Sequence, residues 1–184
     1  NLLDLYTGIF KQSQKKWPKM IKVIDNFLDI DDFNQIKEVM LGDNFPWYYN
    51  DIITNKKDSS DKFYFIHNFF KDLSITDTPG ISSEYFYLLK GIIKKINCKS
   101  ILRIKANLHL NINKKQINQP HVDYHFVHKG CLFYLNNNNG FTSFGKEKVN
   151  PKENRVVFFN PNEEHSSSLC TDKKRRININ FNYF

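Results

Sequence analysis

Two stretches of this chain alternate apolar and polar residues without a break. Over 101–113, Leu102, Ile104, Ala106, Leu108, Leu110 and Ile112 take turns with Arg103, Lys105, Asn107, His109, Asn111 and Asn113. Over 176–184, Ile177, Ile179, Phe181 and Tyr183 take turns with Arg176, Asn178, Asn180 and Asn182. A period of two predicts strands with one apolar and one polar face. Earlier in the chain the period changes. "VIDNFLDIDDFNQIKEVML" predicts a short strand, a turn with Asp29 or Asp31 as N-cap, and a helix with a buried stripe of Phe33, Ile36, Val39 and Met40. "SSEYFYLLKGIIKKI" predicts a second helix, capped by Ser82 or Ser83 and weakened by Gly91. Residues 44–80 read as a polar, loop-rich stretch holding Phe45, Trp47, Tyr48 and Tyr49. Further strands are expected near 121–126, 131–136, 140–145, 155–160 and 165–170, with the asparagine run 136–139 as a hairpin tip. The apolar faces need cover, and the two N-terminal helices can supply it. The polar faces are then wet on an open sheet, or line the cavity between the two sheets of a jelly roll.

Composition narrows the class. A chain of 184 residues with 40% hydrophobic content and 17 Phe fits one domain with a real core. It has no run of about 18 apolar residues, so no membrane partner is expected. "NLLDLYTGIFKQSQKKW" lacks a basic start followed by an apolar block, so it does not read as a secretory leader; the sequence does not begin with Met. Cys98, Cys131 and Cys170 are odd in number and show no metal spacing, which points to free thiols in a reducing, cytoplasmic setting, the host's cytoplasm if the gene is viral. A net charge of +8 admits a nucleic-acid partner. No basic helix or nucleic-acid motif accompanies it, and the abundance of Asn, Lys, Ile, Phe and Tyr is what an AT-rich genome produces.

The candidate chemistry lies in the C-terminal half. His121 and Asp123 are two apart in "QPHVDYH", so on a strand they would share a face. His165 in "NPNEEHSSS" can bring a second imidazole from a distant strand. Two His and one carboxylate on one side of an ion leave its other side open, the arrangement of mononuclear non-haem Fe(II) oxygenases, though Mn, Co, Ni or Zn also suit such donors. Asp123 and His125 share a face equally well, and His128 is close by, so spacing alone leaves the ligand set open. Arg176 is in phase with Asn178 and Asn180, whereas Arg175 alternates onto the apolar face. A guanidinium that points inward can hold a carboxylate through two parallel hydrogen bonds. His67 has no sequence partner and reads as a packed or surface histidine. Glu163 and Glu164 read as a solvated turn, and Lys173 and Lys174 as a solvated basic run.

From about Ile101 to Phe184 the chain resembles the 2-oxoglutarate/Fe(II)-dependent dioxygenases, chiefly the prolyl-hydroxylase-like branch and small phage-encoded members. "RIKANL", "HVD", "CLFYLNNNNGFTSF", "NRVVFFNPNEEHS" and "RRININFNY" carry the likeness. The resemblance implies a mainly β fold with N-terminal helices: a double-stranded β-helix, cupin-like jelly roll with helices on the outer face of its major sheet. It implies one oxygenase domain over 1–184, with 1–100 a helical and loop support and 101–184 the core. It selects His121, Asp123 and His165 as metal ligands and turns His125 and His128 into lip residues. Arg176 becomes the anchor for the distal carboxylate of 2-oxoglutarate, with Tyr134 and Asn180 assisting. Asn107 and His109 are candidates for its keto-acid end, where the family commonly has a tyrosine that this chain lacks near His109. Fe(II), 2-oxoglutarate and O2 are the implied cofactor and co-substrates, with ascorbate a candidate reductant. The implied reaction is hydroxylation of a peptidyl, prolyl-like or small-molecule substrate, coupled to loss of CO2 and release of succinate. Halogenases of the family lack the carboxylate ligand, so Asp123 favours hydroxylation. Oxidative modification or demethylation of nucleic acid is the alternative suggested by the basic charge. A jelly-roll binding module without turnover is a third.

Overall fold

A computed structural model describes residues 21–51, 63–72 and 76–184. The stretch read for a secretory leader and part of the 44–80 loop reading lie outside the described residues.

The chain begins with strand β1 (Lys22–Ile24) and helix α1 (Ile30–Leu41). Strands β2 (Tyr48–Asn50), β3 (Tyr64–Lys71) and β4 (Gly80–Ile81) follow. A 3₁₀ helix (Glu84–Leu89) runs into helix α2 (Lys90–Lys95). Then come β5 (Ile101–Leu110), β6 (Lys129–Tyr134), β7 (Thr142–Phe144) and β8 (Glu147–Val149). Strands β9 (Arg155–Phe159), β10 (His165–Ser167) and β11 (Arg175–Tyr183) complete the fold. The larger sheet has the order β1-β9-β6-β11-β5-β3-β2, with β4 added to β3; β10-β7-β8 form the smaller one. All pairings between these strands are antiparallel.

Alternation in β5 and β11 sorts their side chains as a period of two requires. Ile104, Ala106 and Leu108 from β5 and Ile177, Ile179 and Phe181 from β11 are buried on one side. There they join one cluster with Phe33, Ile36 and Met40 of α1 and with Leu89, Ile92 and Ile96. Phe133 sits among them, with Phe27 and Phe33 rings 6.4 and 6.2 Å from its centroid. α1 carries Asp31 and Asp32 in its first turn, where carboxylates oppose the helix dipole. Gly91 lets α2 approach α1: a Cβ there would stand 3.1 Å from Asp32 Oδ2 and 3.5 Å from Leu28. Asn154, at φ 56°, exchanges two 2.8 Å hydrogen bonds with the Leu28 backbone and fastens the α1 approach to the turn before β9. A second cluster of Leu132, Tyr134, Phe144, Val149, Val157 and Phe159 fills space between the sheets.

Several sequence expectations change. β5 stops at Leu110, and Asn113 turns the chain at φ 56°. The predicted second helix starts as a 3₁₀ segment, with Ser83 Oγ accepting from Tyr85 N at 3.1 Å. Residues 44–80 are not simply a loop. β3 there is eight residues long and pairs with β5, because "YFIHNFFK" is apolar on both faces and shows no alternation to read. The 1–100 segment is therefore not only helices and loops, since it places β1 to β4 in the larger sheet. No strand spans 121–126; His121 forms an isolated bridge to His165 and the chain bends beyond it.

Phe133→Ala should destabilise the protein by about 3–5 kcal/mol, the usual cost of an aromatic cavity. Tyr87→Ala, at a site 69% exposed, should stay within about 0.5 kcal/mol of wild type. Urea unfolding of both variants measures the contrast.

Candidate functional site

Pairing of β11 with β5 fixes the floor of the cavity between the sheets. The register sets Arg176 opposite His109, Asn178 opposite Asn107, Asn180 opposite Lys105 and Asn182 opposite Arg103. These residues face away from the helices. The smaller sheet faces them with Thr142 from β7 and His165 to Ser167 from β10.

At one end three side chains of metal-ligating type meet. His121 and His165 exchange backbone hydrogen bonds of 3.0 and 2.9 Å, which ties the 121 bend to β10. Asp123 N donates to Pro161 O at 2.9 Å. One ligand atom from each of His121, Asp123 and His165 then falls within 4.8 Å of the others, a group able to hold a metal ion. His165 Nδ1 donates to Glu163 O at 3.0 Å, so Nε2 is the ring nitrogen turned toward the other two side chains. That Nε2 stands 3.9 Å from Asp123 Oδ2. Burial, helped by the neighbouring His165, pushes the pKa of His121 down to about 4, so its imidazole is neutral and able to ligate near pH 7.

Asp123 is buried but held as a carboxylate. Burial alone would raise its pKa; the charges of Arg103 and His165 and a hydrogen bond from Asn180 outweigh that and hold it at about 2. Arg103 Nη2 donates to Oδ1 at 2.8 Å, and Asn180 Nδ2 to Oδ2 at 3.1 Å. The Asn182 amide, turned with its nitrogen toward the carboxylate, donates to Oδ2 at 3.2 Å and accepts from Arg103 at 3.2 Å.

At the other end lies Arg176, with no exposed surface. Its Nη2 donates to Thr142 Oγ1 at 2.8 Å, and that oxygen also bonds Tyr134 Oη at 2.7 Å. The guanidinium carbon sits 5.7 Å from the Tyr134 ring centroid. Nε and Nη1 of Arg176 are buried with no hydrogen-bond partner. A Cβ on Gly140 would come within 3.0 Å of Arg176 Cδ, so only glycine leaves room for the side chain. Burial lowers the Arg176 pKa and raises that of Tyr134. His109 stacks on Tyr64 with centroids 5.3 Å apart. Burial, then the charge of Arg176, drives its pKa to about 3.

Two anticipated contacts change. Asn180 donates to Asp123 at the metal end, not toward Arg176, because four strand residues separate the two by about 13 Å. His109 sits beside Arg176 rather than at the triad, and Asn107 donates to Asn178 Oδ1 at 3.0 Å midway along the floor. His128 is no lip residue: it is buried, with Nε2 2.9 Å from the Asn182 amide. His125, Glu163, Glu164, Lys173 and Lys174 are exposed, and His67 is packed between Pro46 O and Ser83 Oγ. Arg175 points to the helical side and donates to Leu41 O at 2.8 Å. Sequence reasoning missed Arg103, Lys105, Tyr64, Thr142 and Asn182. Arg103, Lys105 and Asn182 stood on the polar faces that alternation marks. Nothing in the local pattern marked Tyr64 or Thr142.

No family model and no curated protein matches this sequence. Solved structures do match in shape. One is a 2OG-Fe(II) oxygenase family oxidoreductase from Burkholderia pseudomallei, at TM-score 0.63 and 11% identity, covering 100% of this chain and 90% of that one. Another is a prolyl hydroxylase in complex with a hypoxia inducible factor peptide fragment, from Trichoplax adhaerens, at TM-score 0.62, 12% identity and coverages of 98% and 89%. A third is the non-heme alpha ketoglutarate dependent epimerase SnoN from nogalamycin biosynthesis, at TM-score 0.65, 10% identity and coverages of 97% and 83%. At such identities the likeness is one of fold. The chain has the double-stranded β-helix of these oxygenases, mainly β, with helices against the outer face of the larger sheet. Among the described residues no helix is long and apolar enough to cross a membrane.

Acid should weaken the metal-free fold in a defined window. His121 and His109 stay neutral in the native state down to about 4 and about 3, while the unfolded chain protonates near the ordinary histidine value of 6.5. The unfolded state therefore binds more protons, and stability falls as pH drops from about 6.5 toward 4, on the order of 1.4 kcal/mol per unit per histidine. Asp123 adds a further loss between 3.8 and about 2. His109→Gln should flatten the first part of the slope; an unchanged urea-midpoint slope would refute the buried neutral histidine.

Proposed function

We propose that this protein is an Fe(II)- and 2-oxoglutarate-dependent dioxygenase of one domain that hydroxylates a peptidyl, prolyl-like or small-molecule substrate. One observation carries the reading: a buried guanidinium with two unpartnered nitrogens shares a cavity with a two-histidine, one-carboxylate triad. Leaving such donors unmade in the interior costs about 1–3 kcal/mol each, more when charged, so a fold that keeps them implies an anionic occupant. The donor set suits Fe(II).

His121, Asp123 and His165 would hold the metal and leave its remaining positions open. Bound iron supplies the oxidising chemistry, in which 2-oxoglutarate loses CO2 to become succinate and one oxygen atom of O2 passes to the substrate. The chain's own contribution is orientation and shelter. Arg176 would take the distal carboxylate through Nε and Nη1, while Thr142 and Tyr134 fix the guanidinium plane. Lys105 stands toward the metal end, in register with Asn180, with Nζ 3.2 Å from Tyr64 Oη. Among the described residues it has no carboxylate partner, so it is a candidate for the keto-acid end. Asn107, Asn178 and His109 line the floor between as neutral polar groups. The like-folded prolyl hydroxylase solved with a peptide supports a peptidyl substrate. The like-folded epimerase is a reminder that the same scaffold directs other outcomes. The net charge of +8 favours nucleic acid as the second reading.

His165→Ala should abolish metal binding while leaving the fold; unchanged Fe(II) affinity would count against the triad. Arg176→Met should raise the 2-oxoglutarate concentration needed for succinate release roughly 30-fold or more, the loss of a charge-assisted pair of ~2–3 kcal/mol. The same change should leave ligand-free stability unaltered or higher, since it removes a buried unpaired charge. Arg175→Met should leave the 2-oxoglutarate requirement near wild type; the reverse ranking would sink the assignment. Succinate release stimulated by proline-rich peptide, small molecules or methylated single-stranded DNA, with a product heavier by one oxygen atom, decides the substrate class.

A further inference from the structure

Among the described residues Asp123 is the one carboxylate of the metal-binding cluster, and its two oxygens are treated differently. Oδ2 is the oxygen turned toward His165, 3.9 Å from Nε2. Oδ1 receives Arg103 Nη2 at 2.8 Å. That pair is largely dry, with side-chain exposures of 13% and 5%. The arginine is braced from the other side. Its guanidinium carbon stacks 5.1 Å from the centroid of Tyr124, and the Tyr124 hydroxyl hydrogen-bonds Asp72. Asn182, in the orientation that suits its neighbours, accepts from the same Nη2. Arg103 Nε has no partner and lies buried, so the carboxylate is the one charged group the side chain meets.

The geometry points to Arg103 as a positioning residue that holds Asp123 to one-oxygen ligation and so preserves the coordination positions that a chelating co-substrate and O2 require. This inference rests on the metal and 2-oxoglutarate reading above. A free carboxylate beside a divalent ion can bind through one oxygen or both. Two imidazoles and both carboxylate oxygens would fill four places around the metal, leaving two of about six. A keto acid binding through carboxylate and carbonyl would then leave nothing for O2. Oδ1 is committed to a charge-assisted hydrogen bond in a dry setting, whereas Oδ2 meets only the neutral amides of Asn180 and Asn182 at 3.1 and 3.2 Å, so Oδ2 is the oxygen offered. A guanidinium so close to a dication also repels it. Removing Arg103 therefore loosens the ligand and removes a repulsion, and the two effects oppose each other on metal affinity. They do not oppose each other on co-substrate binding, which loses an open position.

The test compares Arg103→Met and Arg103→Lys with wild type, using anaerobic protein. Mn(II) binding is followed by electron paramagnetic resonance. 2-Oxoglutarate binding to the Fe(II)-loaded protein is followed by its visible charge-transfer absorbance. Wild type should bind Mn(II) in a His165-dependent way. Arg103→Met should bind Mn(II) within about tenfold of wild type, yet lose tenfold or more in 2-oxoglutarate affinity, within the usual reach of groups that orient metal ligands. Arg103→Lys keeps a donor and a charge, and should recover most of that loss. Equal 2-oxoglutarate affinity in wild type and Arg103→Met overturns the inference. So does parallel loss of Mn(II) binding, 2-oxoglutarate binding and thermal midpoint in both variants, which marks a purely structural role. Failure of wild type itself to bind Mn(II) through His165 brings down the metal reading and this inference with it, and is distinguished because it occurs before any arginine is changed.

Discussion

A polar strand face has been buried, and everything else in the molecule answers to that. Arg176, Asn178, Asn180 and Asn182 on β11 are each 6% exposed or less, so water cannot satisfy them. An interior polar group without a partner is expensive, and a buried charge more so. Closing the smaller sheet over β5 and β11 is stable only because nearly every one of those groups finds a neighbour. Asn107 meets Asn178, Asn180 meets Asp123, and Asn182 sits between His128, Arg103 and Asp123. The exceptions fall at both ends: Arg176 and His109 at one, Arg103 Nε and His121 Nδ1 at the triad. Burial of their apolar backs against α1 and the 84–95 helices supplies the free energy that holds this cavity shut.

Charge along the floor follows from the same constraint. β5 carries Arg103, Lys105 and His109 on its cavity face, and β11 adds Arg176. Arg103 is neutralised by Asp123, and His109 escapes its charge by staying unprotonated. That leaves a half-buried ammonium near the triad and a fully buried guanidinium at the far end. Two cations spaced along one cavity favour an occupant that is negative at both ends. Asp123 does not serve Arg176, because its partner Asn180 lies four strand residues along β11 from Arg176, on the order of 13 Å.

How much of this the sequence disclosed depends on whether a residue lay on an alternating strand. β5 and β11 were legible because each buries one face only, and the facing of Arg176 against Arg175 follows from phase alone. β3 was not legible, because packing on both sides erases the alternation, and with it went Tyr64. The candidate pair was read from a geometry that the structure replaces. His121 and Asp123 do not share a strand face; a single bridge to His165 and one hydrogen bond to Pro161 O bring them together. Spacing left His121 and His125 as rivals beside Asp123; long-range backbone pairing, invisible in a local window, is what gathers His121, Asp123 and His165. The same blindness assigned Asn180 to the wrong end of the cavity. Counting residues from Arg176 places it near Arg176 in sequence, while the extended backbone carries it away.

The asparagines explain why the cavity can be both polar and selective. An amide donates and accepts without carrying charge, so a row of them satisfies its own members across β5 and β11 while adding no field of its own. Had those positions been Asp or Lys, each would have needed a counter-ion in the interior and would have shifted its neighbours' protonation. With amides between the ends and a neutral His109 beside Arg176, full charge is confined to the triad with Arg103, to Lys105 and to Arg176. On the proposed reading, discrimination works by length. A monoanion can meet only one end and leaves the other cation unserved, whereas a short dianion can meet both. The neutral floor keeps the two poles of the cavity electrostatically distinct.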